Sequence, residues 1–542
     1  MGTRTGRLTF SAVVLAAALF CVAYSQKRIN DIRSEARLTD TNYIENAPPM
    51  VAFVTVALGS FRGLLADILW LRTLSLQEEG QYFEMVQLAN WITELQPRFT
   101  GAISYLAWNM AYNISVTCSS FEDRWRWVNK GIELIRDRAL KYNPGDPILY
   151  KELGWIYQHK IGNMMDDANL YYKNRMAMEM MRYFGGPKPD WRRLAEAPKT
   201  AAEVEERLGM DKKFWERLSK PGKDSKEAFR DMGDVEKAFR KSGEVPERVA
   251  EALGGRRSSK TGLLDDYLRA KWIREKLKLD PAYILKLNEK YGDLDWRLPE
   301  AHAIYWASKG IDNDAGKGKR NEFCERMITQ SLHDAFMGGR LLLADPDNPA
   351  TFSTIPNLSL GDAVYKAFKG AYERQKNDSF KAAMEYFLED AVVMSYTFGK
   401  YSLAKKYFKL YRKEKPGDLS ARLGLDRFVL SKWKDDARSA SVRQMNAIVG
   451  ELLYRSAYLA ATGDHDGAEG HLNLAKGIYN LYKNEHIKTW KRVGLPPFDE
   501  MKREASKRCL MNLAEMKKMA DEARAKLKGD REPGVGSNGE TK

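Results

Sequence analysis

Apolar residues along this chain recur three and four positions apart, and segments that alternate apolar with polar are almost absent. The pattern predicts helices throughout and hardly any strand. Its clearest stretch is Gly399 to Pro416, GKYSLAKKYFKLYRKEKP, where a glycine turn and an aromatic precede Ala404, Phe408 and Tyr411 at helical spacing, before a proline stop. Gly80, Tyr82, Met85, Ala89, Ile92 and Pro97 stand at the same offsets, with the small and large residues exchanged. Packed helices need complementary volumes, so a reversed small/large pair fills the same space. A third copy runs from Gly463 to Ala475 through Ala468 and Leu472. Upstream, PILYKELGWIY sets Tyr150, Leu153, Gly154 and Tyr157 on a helix whose glycine admits a close neighbour, and Ala168 and Tyr172 continue it after a two-residue insertion.

Prolines and charge divide the chain. Arg4 and Arg7 precede an uncharged run of 17 residues, Leu8 to Tyr24, and Lys27 and Arg28 follow it. At 1.5 Å per residue the run spans roughly 25 Å, against about 30 Å of hydrocarbon. An uncleaved signal anchor over residues 1–30 is expected, its N-terminus inside and the bulk of the chain exported. Cleavage near Ala23 and Ser25 would instead leave a secreted or periplasmic protein, and a buried soluble helix is a third reading. Met50 to Ser60 is too short to span and reads as a buried first helix, with an interfacial helix as the alternative. Helical arrays are expected over 31–184 and 295–528, a charged helical insertion over 185–294 and a disordered tail over 529–542. Pro187, Pro189, Pro198 and Pro221 break up the insertion, whose apolar stripes are thin.

The order of glycine, aromatic, small residue, large residue and closing proline resembles the tetratricopeptide repeat over roughly residues 61–180 and 360–482. The resemblance implies an all-α solenoid of helical hairpins behind the N-terminal transmembrane or signal helix. It also implies a concave groove for a protein or peptide partner, lined by first helices. Lys151, Trp155, Gln158 and His159 would face inward there. Lys151 coincides with a lysine that carboxylate-clamp members of the family use, but Trp155 replaces their asparagine. That departure implies an apolar or aromatic-binding groove, with packing of Trp155 between repeats as the alternative.

Composition changes this picture little. The net charge of +15 is compatible with an anionic partner, yet acids are interspersed with the bases over all 542 residues, which reads as a solvated basic surface. Cys21, Cys118, Cys324 and Cys509 form no framework or zinc spacing. Gly254 to Thr261, GGRRSSKT, falls one glycine short of a phosphate loop, with Ser259 in the glycine's place. Tyr305 and Lys309 repeat a dehydrogenase spacing without its glycine-rich turn, and His302 reads as a core or groove histidine. Asp464, His465, Asp466 and His471 read as a polar turn between helices rather than a metal site. No cofactor, metal or catalytic motif stands out. The expected function is therefore a membrane-anchored scaffold or adaptor in a cell-envelope assembly. A basic protein binding an anionic polymer or membrane surface, or an unrecognised helical enzyme, are the alternatives, and nucleic acid is not the expected partner.

Overall fold

The computed structural model describes residues 61–529, apart from 97–98, 221–226, 315–320, 346, 350–351, 423, 440–441, 489 and 491–493, and some helical positions between Val14 and Ile32. The run Leu8 to Tyr24 is described only in part, and Met50 to Ser60 and 530–542 lie outside the described residues. Among the described residues no helix is long and apolar enough to cross a membrane. The protein is mostly helical, as its periodicity predicts. It divides into two compact units, one of residues up to Ile103 with Lys141–Pro144, the other of Ser104–Leu140 with the chain from Gly145 on.

In the first unit α1 (Phe61–Glu78) and α2 (Tyr82–Leu95) pack as a hairpin. Gly80 turns it at φ +71°, a conformation that suits glycine because it lacks a Cβ. Ala66, Leu76, Met85, Ala89 and Ile92 are buried. Thr73 and Thr93 are buried too, their hydroxyls donating back to Leu69 O at 2.7 Å and Ala89 O at 2.8 Å.

From Ser104, within the first of them, the second unit opens with three helical rods that each widen into a π-turn. Helix α3 (Thr100–Trp108) runs into Asn109–Ile114, α4 (Phe121–Glu133) into Leu134–Ala139, and α5 (Pro147–Trp155) into Ile156–Ile161. Ser120 caps α4 by accepting from Asp123 N at 3.0 Å, and Asp146 caps α5 ahead of Pro147 in its first turn. A Cβ on Gly131 would sit 2.6 Å from Ala107 O, so α4 and α3 touch backbone to side where no other residue fits. Helix α6 (Asn169–Phe184) follows.

Short helices fill the charged middle: α7 (Trp191–Glu196), α8 (Ala201–Leu208), α9 (Lys212–Leu218), α10 (Met232–Ser242), α11 (Glu247–Ala252) and α12 (Ser259–Trp272). Each supplies only a few apolar side chains, which is why the stripes look thin in sequence. They converge: Val204, Leu208, Phe214, Val235, Phe239, Leu264 and Tyr267 share one core. Side chains of Asp190, Thr200, Asp211, Asp231 and Ser258 cap five of the six.

After α13 (Pro281–Tyr291) come α14 (Pro299–Asn313) and α15 (Asn321–Gly338), and these two return to pack on α5. Glycines set the approach on both sides. A Cβ on Gly154 would lie 3.1 Å from Met327 Cγ and 3.4 Å from Ala303 O, and one on Gly310 would lie 2.8 Å from Tyr150 Cβ. Gly154 thus has the close neighbour expected of it, supplied by helices far along the chain. A two-stranded antiparallel sheet, β1 (Arg340–Leu343) with β2 (Ser353–Ile355), pairs Arg340 with Ile355 and Leu341 with Thr354. Strands of four and three residues are too short for a period of two to register.

Helices α16 (Gly361–Gln375), α17 (Asp378–Thr397) and α18 (Tyr401–Glu414) each pack on the next. The stretches at Gly80 and Gly399 have the same local form. Both glycines have positive φ, +71° and +66°, and both following helices are 14 residues long. Their caps agree within a few degrees: Gln81 and Lys400 at φ −87° and −88°, Gln96 and Lys415 at φ −129° and −127°. Ala404, Phe408 and Tyr411 are buried, as are Met85, Ala89 and Ile92. After α19 (Leu425–Ser439), helices α20 (Val442–Ala461), α21 (His465–Glu485) and α22 (Phe498–Gly529) surround a core of Met445, Val449, Leu453, Ala475, Ile478, Tyr482 and Met501.

Candidate functional site

The rod formed by α5 and its π-turn separates two environments. On one side Tyr150 lies 6.4 Å from Trp306, and Tyr157 stacks 5.0 Å from His302, inside the protein. The other side carries three of the four residues expected in a groove. Trp155 and His159 stack at 4.3 Å and 14°, and the Lys151 ammonium lies over the Trp155 ring at 5.3 Å.

The α3 rod continues this row. Tyr112 Oη is 3.1 Å from His159 Nδ1, Trp108 stacks on Tyr112 at 5.4 Å and 20°, and Tyr105 lies 6.4 Å from Trp108. Five rings, Tyr105, Trp108, Tyr112, His159 and Trp155, therefore run in series across two rods and end at Lys151. Tyr105 is 40% and Trp108 38% exposed, and the others are half-buried. Behind them Lys160, nearly fully buried, pairs with Asp166 at 2.6 Å and lies between the Tyr112 and Tyr172 rings at 5.4 and 5.5 Å. Burial, then the charge of Glu152, raises the Tyr112 phenol far above its usual range. Burial, then Lys160, lowers His159. Both groups are thus held neutral, so the phenol can donate to Nδ1 and leave the imidazole proton on Nε2. Lys151 also pairs with Glu152 at 3.0 Å, which leaves it a poor clamp for a free carboxylate.

Gln158 departs from the expected groove. It is 6% exposed and donates to Asp334 Oδ2 at 2.9 Å, on the interior side of the rod. The cause is the π-turn, whose i→i+5 bonds turn each residue through less than the 100° of an α-helix. The third residue after Trp155 falls off its face, while the fourth, His159, stays on it. Sequence reasoning also leaves Tyr105, Trp108 and Tyr112 out of the groove, although their i, i+3, i+7 spacing marks one helix face.

Gln158 belongs to a buried polar set. Glu300 Oε2 and Gln158 Oε1 are sealed from solvent without a hydrogen-bond partner among the described residues. Burial pushes Glu300 up to about 7, with Asp334 adding to the rise and Lys173 opposing it. Burial likewise raises Asp334 and lowers Lys173. Adjacent to this set, His302 bonds Trp296 O at 2.9 Å and is lowered to about 4 by burial, as befits a core histidine.

The remaining sequence candidates are occupied structurally. Ser258 of the loop-like GGRRSSKT caps α12 by accepting from Thr261 N at 3.1 Å, and a helix, α11, precedes the loop where a phosphate loop requires a strand. The Tyr305 hydroxyl accepts from Asp280 N at 2.9 Å, and Lys309 lies 4.0 Å over Tyr283. Asp464 caps α21, and His471 Nδ1 is 2.7 Å from Gly467 O. No protein-family model and no curated protein matches this chain.

Proposed function

We propose that this chain is a non-catalytic scaffold, a tetratricopeptide-like solenoid of helical hairpins held at a membrane by its N-terminal apolar run. It binds a protein or peptide partner within a cell-envelope assembly, with its N-terminus inside and its bulk exported. The observation that carries the reading is the strip of five rings ending at Lys151. Rings fixed against one another in the free protein offer apolar area at little further cost in conformational entropy. With Lys151 already paired to Glu152 and Trp155, the strip favours a partner that presents apolar or aromatic side chains over one that presents a C-terminal carboxylate. The matching caps of α2 and α18 support repeated hairpins, and the Leu8–Tyr24 run with its basic flanks supports the anchor.

Affinity purification of the detergent-solubilised full chain tests the reading. Trp155→Ala with Lys151→Glu should release proteins that the wild type retains. Partners unchanged by the double variant would remove this strip as the recognition surface.

A further inference from the structure

Helix α22 has two unlike faces. Met501 and Ala505 belong to the C-terminal core, and Cys509, four further on, is buried as well. Arg508 at the margin reaches Glu451 at 2.9 Å. On the far side Lys502, Arg503, Ser506, Lys507, Leu510 and Met511 follow at i, i+1, i+4, i+5, i+8 and i+9 and line one shallow concavity. Lys502, Arg503 and Lys507 are exposed, with Asp499 and Glu500 one turn before them and Glu504 at the margin of the face, and none of the three cations pairs with a carboxylate among the described residues. Leu510 and Met511 are 64% and 63% exposed at the end of the row.

We propose that this face of α22 docks on an anionic bilayer surface. The two apolar side chains enter the headgroup–acyl boundary, and the three cations sit against lipid phosphates. Charge complementarity selects an anionic surface, and the apolar pair selects lipid over polymer. A single-stranded nucleic acid would reward stacking rings, of which this face has none, and would gain nothing from Leu510 and Met511. The contact is independent of both the aromatic strip and the N-terminal run.

Flotation of the full chain with phosphatidylcholine vesicles, against vesicles containing 30 mol% phosphatidylglycerol (roughly the anionic content that attracts basic segments), tests it. The N-terminal run contributes to both, so the ratio of the two partition constants reports the charged face. Lys502→Glu, Arg503→Glu and Lys507→Glu together should lower that ratio on the order of a hundredfold. The three glutamine replacements should lower it less, with helix content by circular dichroism unchanged. Leu510→Ser with Met511→Ser should weaken binding to anionic vesicles on the order of tenfold and leave the remainder removable by salt. A ratio unmoved by both charge variants would overturn the proposal. So would loss of oligonucleotide binding in the charge variants together with undiminished flotation of the serine variant, since the face would then read a phosphate polymer.

Discussion

The two sides of the α5 rod carry the same residue types in different arrangements. In the half-exposed strip the closest ring pairs are near parallel, Trp108 with Tyr112 at 20° and His159 with Trp155 at 14°. In the interior Trp296, Tyr305, Trp306 and Tyr283 meet mostly edge to face: Trp296–Tyr305 at 85°, Tyr305–Trp306 at 77°, Tyr283–Tyr305 at 86°. Edge-to-face contacts fill space in three dimensions and satisfy the ring quadrupoles. Parallel rings along one helix face build a surface and leave one side without protein. One histidine serves each set, and both are held neutral by burial, so charge does not separate the two. Exposure does, and so does ring geometry except where Tyr157 stacks on His302 at 28° and Tyr150 lies at 30° to Trp306.

The most severe way to break the interior set is Trp296→Ala. Trp296 is 2% exposed, its indole N–H donates to Asn288 Oδ1 at 3.0 Å, and its ring meets His302 and Tyr305. Loss of such a ring, with the cavity it leaves, costs about 3–5 kcal/mol. Urea unfolding should show a midpoint shift of that size, and a shift under about 1 kcal/mol would mean that these rings are not the core described.

Glu300 sharpens the comparison through pH. A folded-state value near 7, against about 4.3 for an ordinary glutamate, means that the protonated form is favoured in the fold. Its contribution is intact at low pH and is lost as pH rises from about 4 through 7, by about 2–3 kcal/mol between pH 5 and pH 8. Glu300→Gln keeps the shape of the protonated acid and cannot ionise, so its stability should fall less over that interval. Asp334 shifts in the same direction but is present in both proteins, so the difference between the two urea series isolates Glu300. Parallel series would show that Glu300 is not held neutral.

Much of this arrangement is legible in the residues. Glycine followed by an aromatic marks Gly80 and Gly399, because only a left-handed residue ends one helix and starts the next so tightly, and the caps that follow agree within degrees. Lys151, Trp155 and His159 can be placed on one face from spacing alone. Gln158 cannot, because a π-turn leaves no mark in a pattern read at 3.6 residues per turn. Nor can the contact between Tyr112 and His159, 47 positions apart, which depends on how two rods lie together. The core of the charged middle is illegible for a related reason: five of its six helices have eleven residues or fewer, and Val204, Phe239 and Tyr267, on three different helices, meet only after folding. Gly154 announces close approach, but not that α14 and α15 are what approach.

The smallest expected change in stability belongs to Trp108→Ala, and it decides between surface and core. Trp108 is 38% exposed and rests mainly on Tyr105 and Tyr112. Losing a ring stacked on two neighbours there should cost about 1–2 kcal/mol, short of Trp296→Ala. If the strip is the recognition surface, the same variant should weaken partner retention by about 2 kcal/mol, roughly thirtyfold, as for a central aromatic contact. Trp108→Phe should recover much of that binding, since a flat ring remains in the stack. A variant that melts like the interior mutant while keeping its partners would reassign Trp108 to packing, and the parallel rings would then differ from the edge-to-face ones only in how deeply they are buried.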